Sequence, residues 1–135
     1  MTLTALREDA LRTTPEGFAL RLSLPWIRSL PLASLVDLAV AIDGAAPSSL
    51  LVAVGDRTLT PSALAFERGW WFLQDRLVIR GRTPLGRGAH RISVSFSLLI
   101  PYLDAGGAGP LRLPFSADAD LVPDAAVPSV SRDVA

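Results

Sequence analysis

The sequence contains no cysteine, and this absence excludes several kinds of function at once. Without cysteine the chain has no disulfide framework, no thiol nucleophile and no cysteine-ligated zinc or iron–sulfur site. Histidine occurs once, at His90, so a metal site built from several histidines is excluded as well.

Lysine is also absent, and the 13 basic residues, all arginines, are balanced by 13 acidic residues. Zero net charge argues against nucleic acid binding, which needs a clustered basic surplus to displace counterions from phosphates. No apolar run approaches the ~20 residues needed to span a bilayer, and charges interrupt the N-terminal MTLTALREDALRT where a signal peptide needs an apolar core. We therefore expect a cytoplasmic protein that binds neither membrane nor nucleic acid.

Apolar residues, by contrast, are plentiful: they make up 50% of the 135 residues, and 19% are charged. A chain of this length is expected to form one domain and to hide roughly two-thirds of its unfolded surface. Its mean hydropathy of +0.38 is high for a monomer without net charge. This value favours a surface that another protein covers, although a high alanine content would raise the same average without such a surface.

Alternation of apolar and polar residues identifies the strands, since successive side chains of a strand point to opposite faces. It runs through Phe18–Leu24, Val36–Ile42 and, most clearly, His90–Ile100. Pro25 is expected to end the first strand, because proline cannot donate a ladder hydrogen bond. Short strands with turn residues at about ten-residue spacing predict an all-β fold, an antiparallel β-sandwich or open barrel of about 7–9 strands.

Other stretches are assigned by residue type. Residues 3–13 could form a helical face or a strand, and the turn residues of the following TTPEG favour a β-hairpin. Asp43-Gly44 is a hairpin turn dipeptide. Trp70–Arg80 is rich in aromatic and β-branched residues, which predicts one continuous strand, and the glycine-rich Arg80–Gly88 is predicted to be a loop.

The composition changes after the last of these strands. Pro101 is expected to stop the strand, and from Asp104 onward the chain consists largely of Asp, Ala, Gly, Pro and Ser. We therefore divide the chain into a β-sandwich domain, residues 1–103, and an irregular C-terminal arm, residues 104–135. The apolar island of the arm, Leu111–Phe115, could dock as a short strand on this domain or on a neighbouring chain.

Candidate catalytic residues are few. His90 could act as a general base, but a histidine at a strand edge more commonly hydrogen-bonds a neighbouring loop. Asp75 could pair with an arginine across the sheet or mark a bulge, and the other aspartates lie near turns, where they cap loops. We predict no catalytic, cofactor-binding or metal-binding residue in this chain.

Five motifs stand in a fixed order over residues 6–103. They are Phe18–Leu24 running into Pro25-Trp26, then Arg28-Ser29-Leu30-Pro31-Leu32, the strand end Ile42-Asp43-Gly44, Trp71-Phe72 followed by Asp75, and Gly88 and His90 followed by a strand ending in Ile100-Pro101-Tyr102. In order and spacing, these motifs resemble the small (beta) subunit of bacterial C-glycoside deglycosidases. In that family an aromatic residue commonly precedes the arginine of the second motif, whereas Ile27 stands there in this sequence.

The resemblance implies a subunit of a heteromeric, lyase-type enzyme. In such a complex the large (alpha) subunit is a barrel of the sugar-isomerase kind that holds a divalent metal, usually manganese. The substrate would be a 3-oxo-C-glucoside of a flavonoid or similar phenol. Its ketone acidifies the C2 proton, a base removes that proton, and the aglycone carbon leaves from C1 while the metal acts as a Lewis acid on the ketone. The small subunit would be a β-sandwich that stabilises the large one and helps to shape its active-site mouth.

Exposed Trp, Tyr and Arg side chains carry a disproportionate share of interface energy. On that ground, together with the resemblance, we predict Trp26, Arg28, Trp70 and Tyr102 as anchors for the large subunit. Trp70 and Trp71 would point to opposite faces of a strand, so one of them is expected in the core.

Two further functions remain open from the sequence. The first is a free-standing carbohydrate-binding β-sandwich that uses Trp26, Trp70 or Trp71 as a platform for a sugar ring. The second is a small hydrolase that uses His90 together with Asp75.

Overall fold

A computed structural model describes residues 5–104, 107, 109–125 and 132–133. In this part of the chain, eleven β-strands are joined by turns and by two short 3₁₀ segments, Leu32–Ser34 and Pro61–Phe66. The strands are β1 (Leu11–Thr14), β2 (Gly17–Ser23), β3 (Leu30–Pro31), β4 (Leu35–Ile42), β5 (Leu50–Val54), β6 (Arg57–Leu59), β7 (Trp70–Trp71), β8 (Asp75–Gly81), β9 (His90–Asp104), β10 (Pro110–Leu121) and β11 (Arg132–Asp133).

Two main sheets form a sandwich. The larger sheet has the strand order β1–β2–β8–β5–β6, with β11 added parallel to β8. The second sheet has the order β10–β9–β4, and β3 pairs separately with β7. One continuous core draws side chains from both main sheets, so the sheets face each other as two layers. The predicted all-β sandwich is confirmed, and the strand count exceeds the expected one because β3, β7 and β11 have only two residues each.

Alternation along the strands places the core between the sheets. The larger sheet contributes the fully buried side chains of Phe18, Leu20, Leu22, Leu77 and Ile79. The second sheet contributes the buried side chains of Ile92, Val94, Phe96 and Leu98. Burial of each such side chain stabilises the fold by roughly 1.5–3 kcal/mol.

Two predicted hairpin turns are confirmed. Strands β1 and β2 are joined by the TTPEG turn, where the Gly17 N–H donates to Thr14 Oγ1 (3.0 Å). Asp43 and Gly44 both have positive φ, 51° and 85°, as a type I′ turn requires. The flanking Ile42 and Ala45 exchange two backbone hydrogen bonds, which closes the turn.

The prediction of one continuous strand over Trp70–Arg80 is wrong. A turn closed by a hydrogen bond from the Asp75 N–H to the Phe72 carbonyl (2.9 Å) separates β7 from β8, and the two strands belong to different sheets. The buried Trp71 indole donates to the Asp75 carbonyl (3.1 Å), so it stabilises this turn from the core side. Trp70 is exposed, which confirms that the two tryptophans point in opposite directions.

Pro101 does not end its strand, contrary to expectation, and β9 continues to Asp104. The pairing with β10 shifts register here: Leu111 lies opposite Ile100, whereas Pro110 lies opposite Asp104. Residues 101–103 therefore form a bulge without ladder partners on β10, and the N–H that Pro101 lacks is not needed in that ladder. The bulge leaves residues 101–103 exposed.

Part of the predicted C-terminal arm is a sheet strand. Residues 110–121 form β10, which pairs with β9 along its whole length, and its inward side chains pack against the core, where Leu121 is buried. The apolar island Leu111–Phe115 thus docks on this domain. The strand was not predicted from the sequence because two of its inward positions are alanines, which are also typical of a low-complexity tail. The boundary at residue 104 stays a prediction, and most of the arm after β10 lies outside the described residues.

Candidate functional site

Three segments of the chain meet at one end of the sandwich. They are the connection between β2 and β3, the turn between β7 and β8, and the bulge at the end of β9. Proline stands at both ends of the first connection, as Pro25 and Pro31, and restricts its conformations because each ring fixes φ. We call this region the apolar end, and define it by Trp26, Ile27, Arg28, Trp70, Phe72, Leu73, Tyr102 and Leu103.

Tyr102 joins two of these segments. The Trp26 indole Nε1 donates a hydrogen bond to the Tyr102 hydroxyl (2.5 Å). The Arg28 guanidinium lies over the Tyr102 ring, 5.1 Å from its centroid, a distance at which a cation and an aromatic ring attract each other. The structure thus brings three of the four predicted anchor residues into one cluster.

Trp70, the fourth predicted anchor, is connected to this cluster through short strands. Pairing of β3 with β7 places Pro31 opposite Trp70. The Leu73 N–H donates to Ser29 Oγ (2.7 Å), which fixes the β7–β8 turn against the β2–β3 connection. All four predicted anchors therefore lie at the apolar end, and their role as anchors stays a prediction.

The apolar end exposes large side chains to solvent. They are those of Ile27, Trp70, Phe72, Leu73, Tyr102 and Leu103, with exposed fractions from 38% to 65%. Elsewhere in the described ranges, the exposed large apolar side chains are Phe66 and Val122. Single exposed apolar residues are ordinary, whereas a contiguous group of them marks a binding surface.

Sequence reasoning missed several members of this surface. Phe72 and Leu73 were expected inside a continuous strand, where alternation would bury one of each neighbouring pair; the turn exposes both. Leu103 was expected beyond the end of a strand. The available signal was Asp75, a polar residue shortly before the apolar run Leu77–Ile79, which marks the true start of β8.

His90 lies near the start of β9 and is held by two acceptors. Its Nδ1 is 2.7 Å from Asp43 Oδ2, and its Nε2 is 2.8 Å from the Gly86 carbonyl oxygen. Asp43 Oδ1 also accepts from the Arg91 N–H (2.9 Å). We call Asp43, Gly86 and His90 the histidine clasp, since it ties the β8–β9 loop to the Asp43-Gly44 turn.

The clasp favours the charged form of both side chains. The hydrogen bond with Asp43, followed by that with the Gly86 carbonyl, raises the pKa of His90 above its ordinary value. The hydrogen bond with His90, followed by that from the Arg91 N–H, lowers the pKa of Asp43. Both interactions stabilise ionised groups, because an imidazolium can donate from both nitrogens and a carboxylate accepts.

The clasp distinguishes between two roles predicted for His90, a hydrogen bond to a neighbouring loop and a catalytic pair with Asp75. The expectation that it hydrogen-bonds a neighbouring loop is confirmed by its contact with Gly86. The hypothesis that it works with Asp75 is wrong, because its carboxylate partner is Asp43 and both ring nitrogens are occupied. Asp75 instead begins β8 and contacts Trp71 through its backbone carbonyl.

Several acidic side chains in the described ranges pair with arginines. The pairs include Arg57–Glu67 at 2.9 Å, Arg91–Asp120 at 3.3 Å and the buried Arg76–Asp9 at 2.9 Å. Within the same ranges, no three His, Asp or Glu residues are grouped so that they could hold a metal ion. No helix found there has the length and apolar character to cross a membrane. The apolar end therefore offers contact area, and it carries no cluster of metal-ligating side chains.

Comparison with known proteins agrees with the motif-based resemblance. No protein-family model matches the chain. The chain is similar to the 3'-dehydrocarminate deglycosidase beta subunit of a Microbacterium species, with 36% identity over 104 residues, 74% of this chain and 79% of the relative.

Two other curated relatives are C-glycoside deglycosidase beta subunits. The one from Arthrobacter globiformis is 34% identical over 103 residues, 73% of this chain and 79% of the relative. The one from Microbacterium trichothecenolyticum is 30% identical over 102 residues, 73% of this chain and 78% of the relative. The chain therefore belongs to the family of C-glycoside deglycosidase beta subunits.

Proposed function

We propose that this chain is the non-catalytic beta subunit of a heteromeric C-glycoside deglycosidase and that it binds the alpha subunit through the apolar end. The relatives are named as beta subunits, which supports a role inside a complex. The observation that carries the proposed contact is the set of exposed apolar side chains on three segments that are joined by the Trp26–Tyr102 and Leu73–Ser29 hydrogen bonds.

The chemistry of the apolar end suits a protein partner. Aromatic and arginine side chains dominate the energy of interfaces, because they bury a large area with few rotatable bonds or donate several hydrogen bonds. Arg28, Trp26 and Tyr102 already hold one another in place. Association would therefore require less additional ordering of side chains at this point.

The reaction proposed for the complex is cleavage of the carbon–carbon bond of a 3-oxo-C-glucoside, such as that of a flavonoid, in the cytoplasm. A base removes the C2 proton, and its electron pair forms a double bond between C2 and C1. The bond from C1 to the aglycone carbon breaks, and that carbon takes up a proton. A divalent metal, proposed to be manganese held by a sugar-isomerase-like alpha subunit, supplies a Lewis acid for the ketone.

Within this scheme, the chain acts on its partner and not on the substrate. Its apolar end stabilises the alpha subunit and helps to complete the mouth of the active site.

A mixing experiment tests the proposal. Each subunit is purified alone and assayed with a 3-oxo-C-glucoside, and the two are then combined in the presence of manganese. The beta chain alone should leave the substrate intact, and the mixture should release more aglycone than the alpha subunit alone. Turnover by the isolated beta chain would contradict its non-catalytic role.

A carbohydrate-binding β-sandwich is the second candidate, because the half-exposed ring of Trp70 could stack on a sugar. Calorimetric titration of the isolated chain with sugars distinguishes this function from the proposed role as a beta subunit. Saturable sugar binding that is lost in Trp70→Ala, combined with no association with an alpha subunit, would replace the proposed function.

A further inference from the structure

A groove of about 340 Å³ lies on the face of the larger sheet that points away from the sandwich core. Its floor is formed by Ala19 and Val78, which are buried in a small apolar cluster separate from the main core. Its walls include three arginines, Arg12, Arg21 and Arg80. The volume falls at the lower end of the range of small-molecule sites.

Strand pairing explains why the arginines surround this floor. Ala19 on β2 lies opposite Arg12 on one side and opposite Arg80 on the other. Strands are separated by about 4.8 Å, so the backbones of the two arginines stand roughly 10 Å apart. Arg21 is two residues further along β2, on the same face, with Val78 opposite. The methyl side chain of Ala19 leaves the space between the arginines open.

The groove has a local surplus of positive charge. The chain as a whole is neutral, yet among the described residues that line the groove the only carboxylate is that of the exposed Glu16. The side chains of Arg12 and Arg80 are exposed, and within the described ranges neither side chain is engaged in a hydrogen bond or a salt bridge. Arg12 does face a carboxylate beside the groove: the pKa of Asp124 is lowered by hydrogen bonds from Thr13 and, to a smaller extent, by the charge of Arg12. Arg21 also contacts Asp9, whose carboxylate lies 3.9 Å away. Like charges on neighbouring strands repel, so a bound anion would stabilise this arrangement.

We propose that this groove binds a small organic carboxylate with a flat apolar body. The carboxylate is held between Arg12 and Arg80, because guanidinium groups bind carboxylates through paired hydrogen bonds. The apolar body enters the groove above Ala19 and Val78 and packs between the side chains of the walls. This site lies on the sheet face and is independent of the proposed function at the apolar end.

Benzoate is the probe, because it combines a carboxylate with a flat ring of suitable size. Amide shifts of the full-length chain are followed by NMR during titration with benzoate or with the uncharged benzamide. Benzoate should cause saturable shifts at Ala19 and Val78, and benzamide should bind at least tenfold more weakly. Arg80→Gln and Arg12→Gln should each weaken benzoate binding at least tenfold, whereas Arg91→Gln, an exposed arginine on the other sheet, should not change it.

Three results would overturn the proposal: no saturable shift at the groove, equal binding of benzamide, or unchanged binding in both groove variants with an intact amide spectrum. A second arm identifies the source of the carboxylate. If the assembled complex still binds benzoate, the groove takes a free organic acid. If the complex excludes benzoate and Arg80→Gln weakens assembly, an Asp or Glu of the partner occupies the groove, and the proposal of a small-molecule site is overturned as well.

Discussion

The two ends of the sandwich differ in how their side chains are accommodated: polar side chains are hydrogen-bonded at one end, and apolar side chains are exposed to solvent at the other. At the histidine clasp, one ring nitrogen of His90 bonds to Asp43 and the other bonds to the Gly86 carbonyl. At the apolar end, rings and aliphatic side chains from three segments stand in solvent. The Trp26–Tyr102 and Arg28–Tyr102 contacts order this surface without covering it.

This difference shows how one small fold separates stability from binding. Polar groups can be satisfied within the chain by hydrogen bonds, so the clasp end needs no partner. Exposed apolar area gains free energy only when something covers it. One end of this sandwich has its polar groups paired within the chain, and the other end exposes apolar side chains. A partner is therefore expected to bind at the apolar end.

The adjacent tryptophans allow the largest test of this comparison. Trp71→Ala should lower the free energy of unfolding by about 3–5 kcal/mol, because it empties a core site and removes the hydrogen bond to Asp75. Trp70→Ala should cost less than about 1 kcal/mol, as is usual for exposed positions. Urea denaturation of the isolated chain measures both. Equal losses would show that Trp70 is a structural residue and that the apolar end is not a free surface.

Association with the alpha subunit should show the next largest effects. Trp70→Ala and Tyr102→Ala should each weaken binding by about 2 kcal/mol, or roughly 30-fold in Kd, as expected of central aromatic residues. Val122→Ala is the matched control, since Val122 is half exposed but lies outside the apolar end. Isothermal titration calorimetry with the alpha subunit measures the three values. If Val122→Ala weakened binding as much as the other two, the interface would lie elsewhere.

The clasp should give a pH dependence that the apolar end lacks. The pKa of His90 is raised above its ordinary 6.5, so the stability from its protonated form is complete below that value and is lost as pH rises through the folded-state pKa. The pKa of Asp43 is lowered from 3.8, so its contribution is present above that value and is lost as pH falls further. The clasp therefore stabilises the fold most between these two ordinary values.

Asp43→Asn tests this pH dependence, since asparagine tolerates the positive φ of the turn. The thermal midpoint of the variant should lie furthest below that of the wild-type chain in the mildly acidic range, and the difference should shrink as pH rises past the pKa of His90. Trp70→Ala should keep the wild-type pH profile. A difference that stayed constant through neutral and mildly alkaline pH would show that His90 does not titrate through the clasp.

Tyr102→Phe should have the smallest effect. It removes the hydroxyl that accepts from Trp26 but keeps the ring beneath Arg28. An exposed hydrogen bond contributes about 0.5–1 kcal/mol, so affinity for the alpha subunit should fall roughly two- to fivefold. If Tyr102→Phe lowered the affinity for the alpha subunit as much as Tyr102→Ala does, the ring and its contact with Arg28 would contribute nothing to binding.

Sequence reasoning succeeded where one local rule controlled the structure. Alternation located β2 and the core of β9, and Asp43-Gly44 formed the hairpin turn that its dihedral preferences indicate. Three of the predicted anchors share one end because the motifs around Pro25 and Pro101 carry both turn residues and aromatic residues, and pairing of β3 with β7 brings Trp70 to the same end.

The failures occurred where pairing between distant segments overrides a local rule. Pro101 lies in a strand because the register shift with β10 removes the need for its N–H. The segment after Trp71 turns because the buried indole bonds to Asp75. The groove between Arg12 and Arg80 depends on the pairing of the β1–β2 hairpin with β8, which lies more than fifty residues further along the chain. These pairings and contacts cannot be inferred from the residues of any one segment alone.

The location of the tryptophans has a practical consequence. All three, Trp26, Trp70 and Trp71, belong to segments at one end of the sandwich. Intrinsic indole fluorescence therefore reports on this end alone, without any label. The buried Trp71 contributes constant, blue-shifted emission. The emission of the exposed Trp70 changes when a bound molecule displaces the water around its ring. A shift of the emission on adding another molecule would locate its contact as well as detect it.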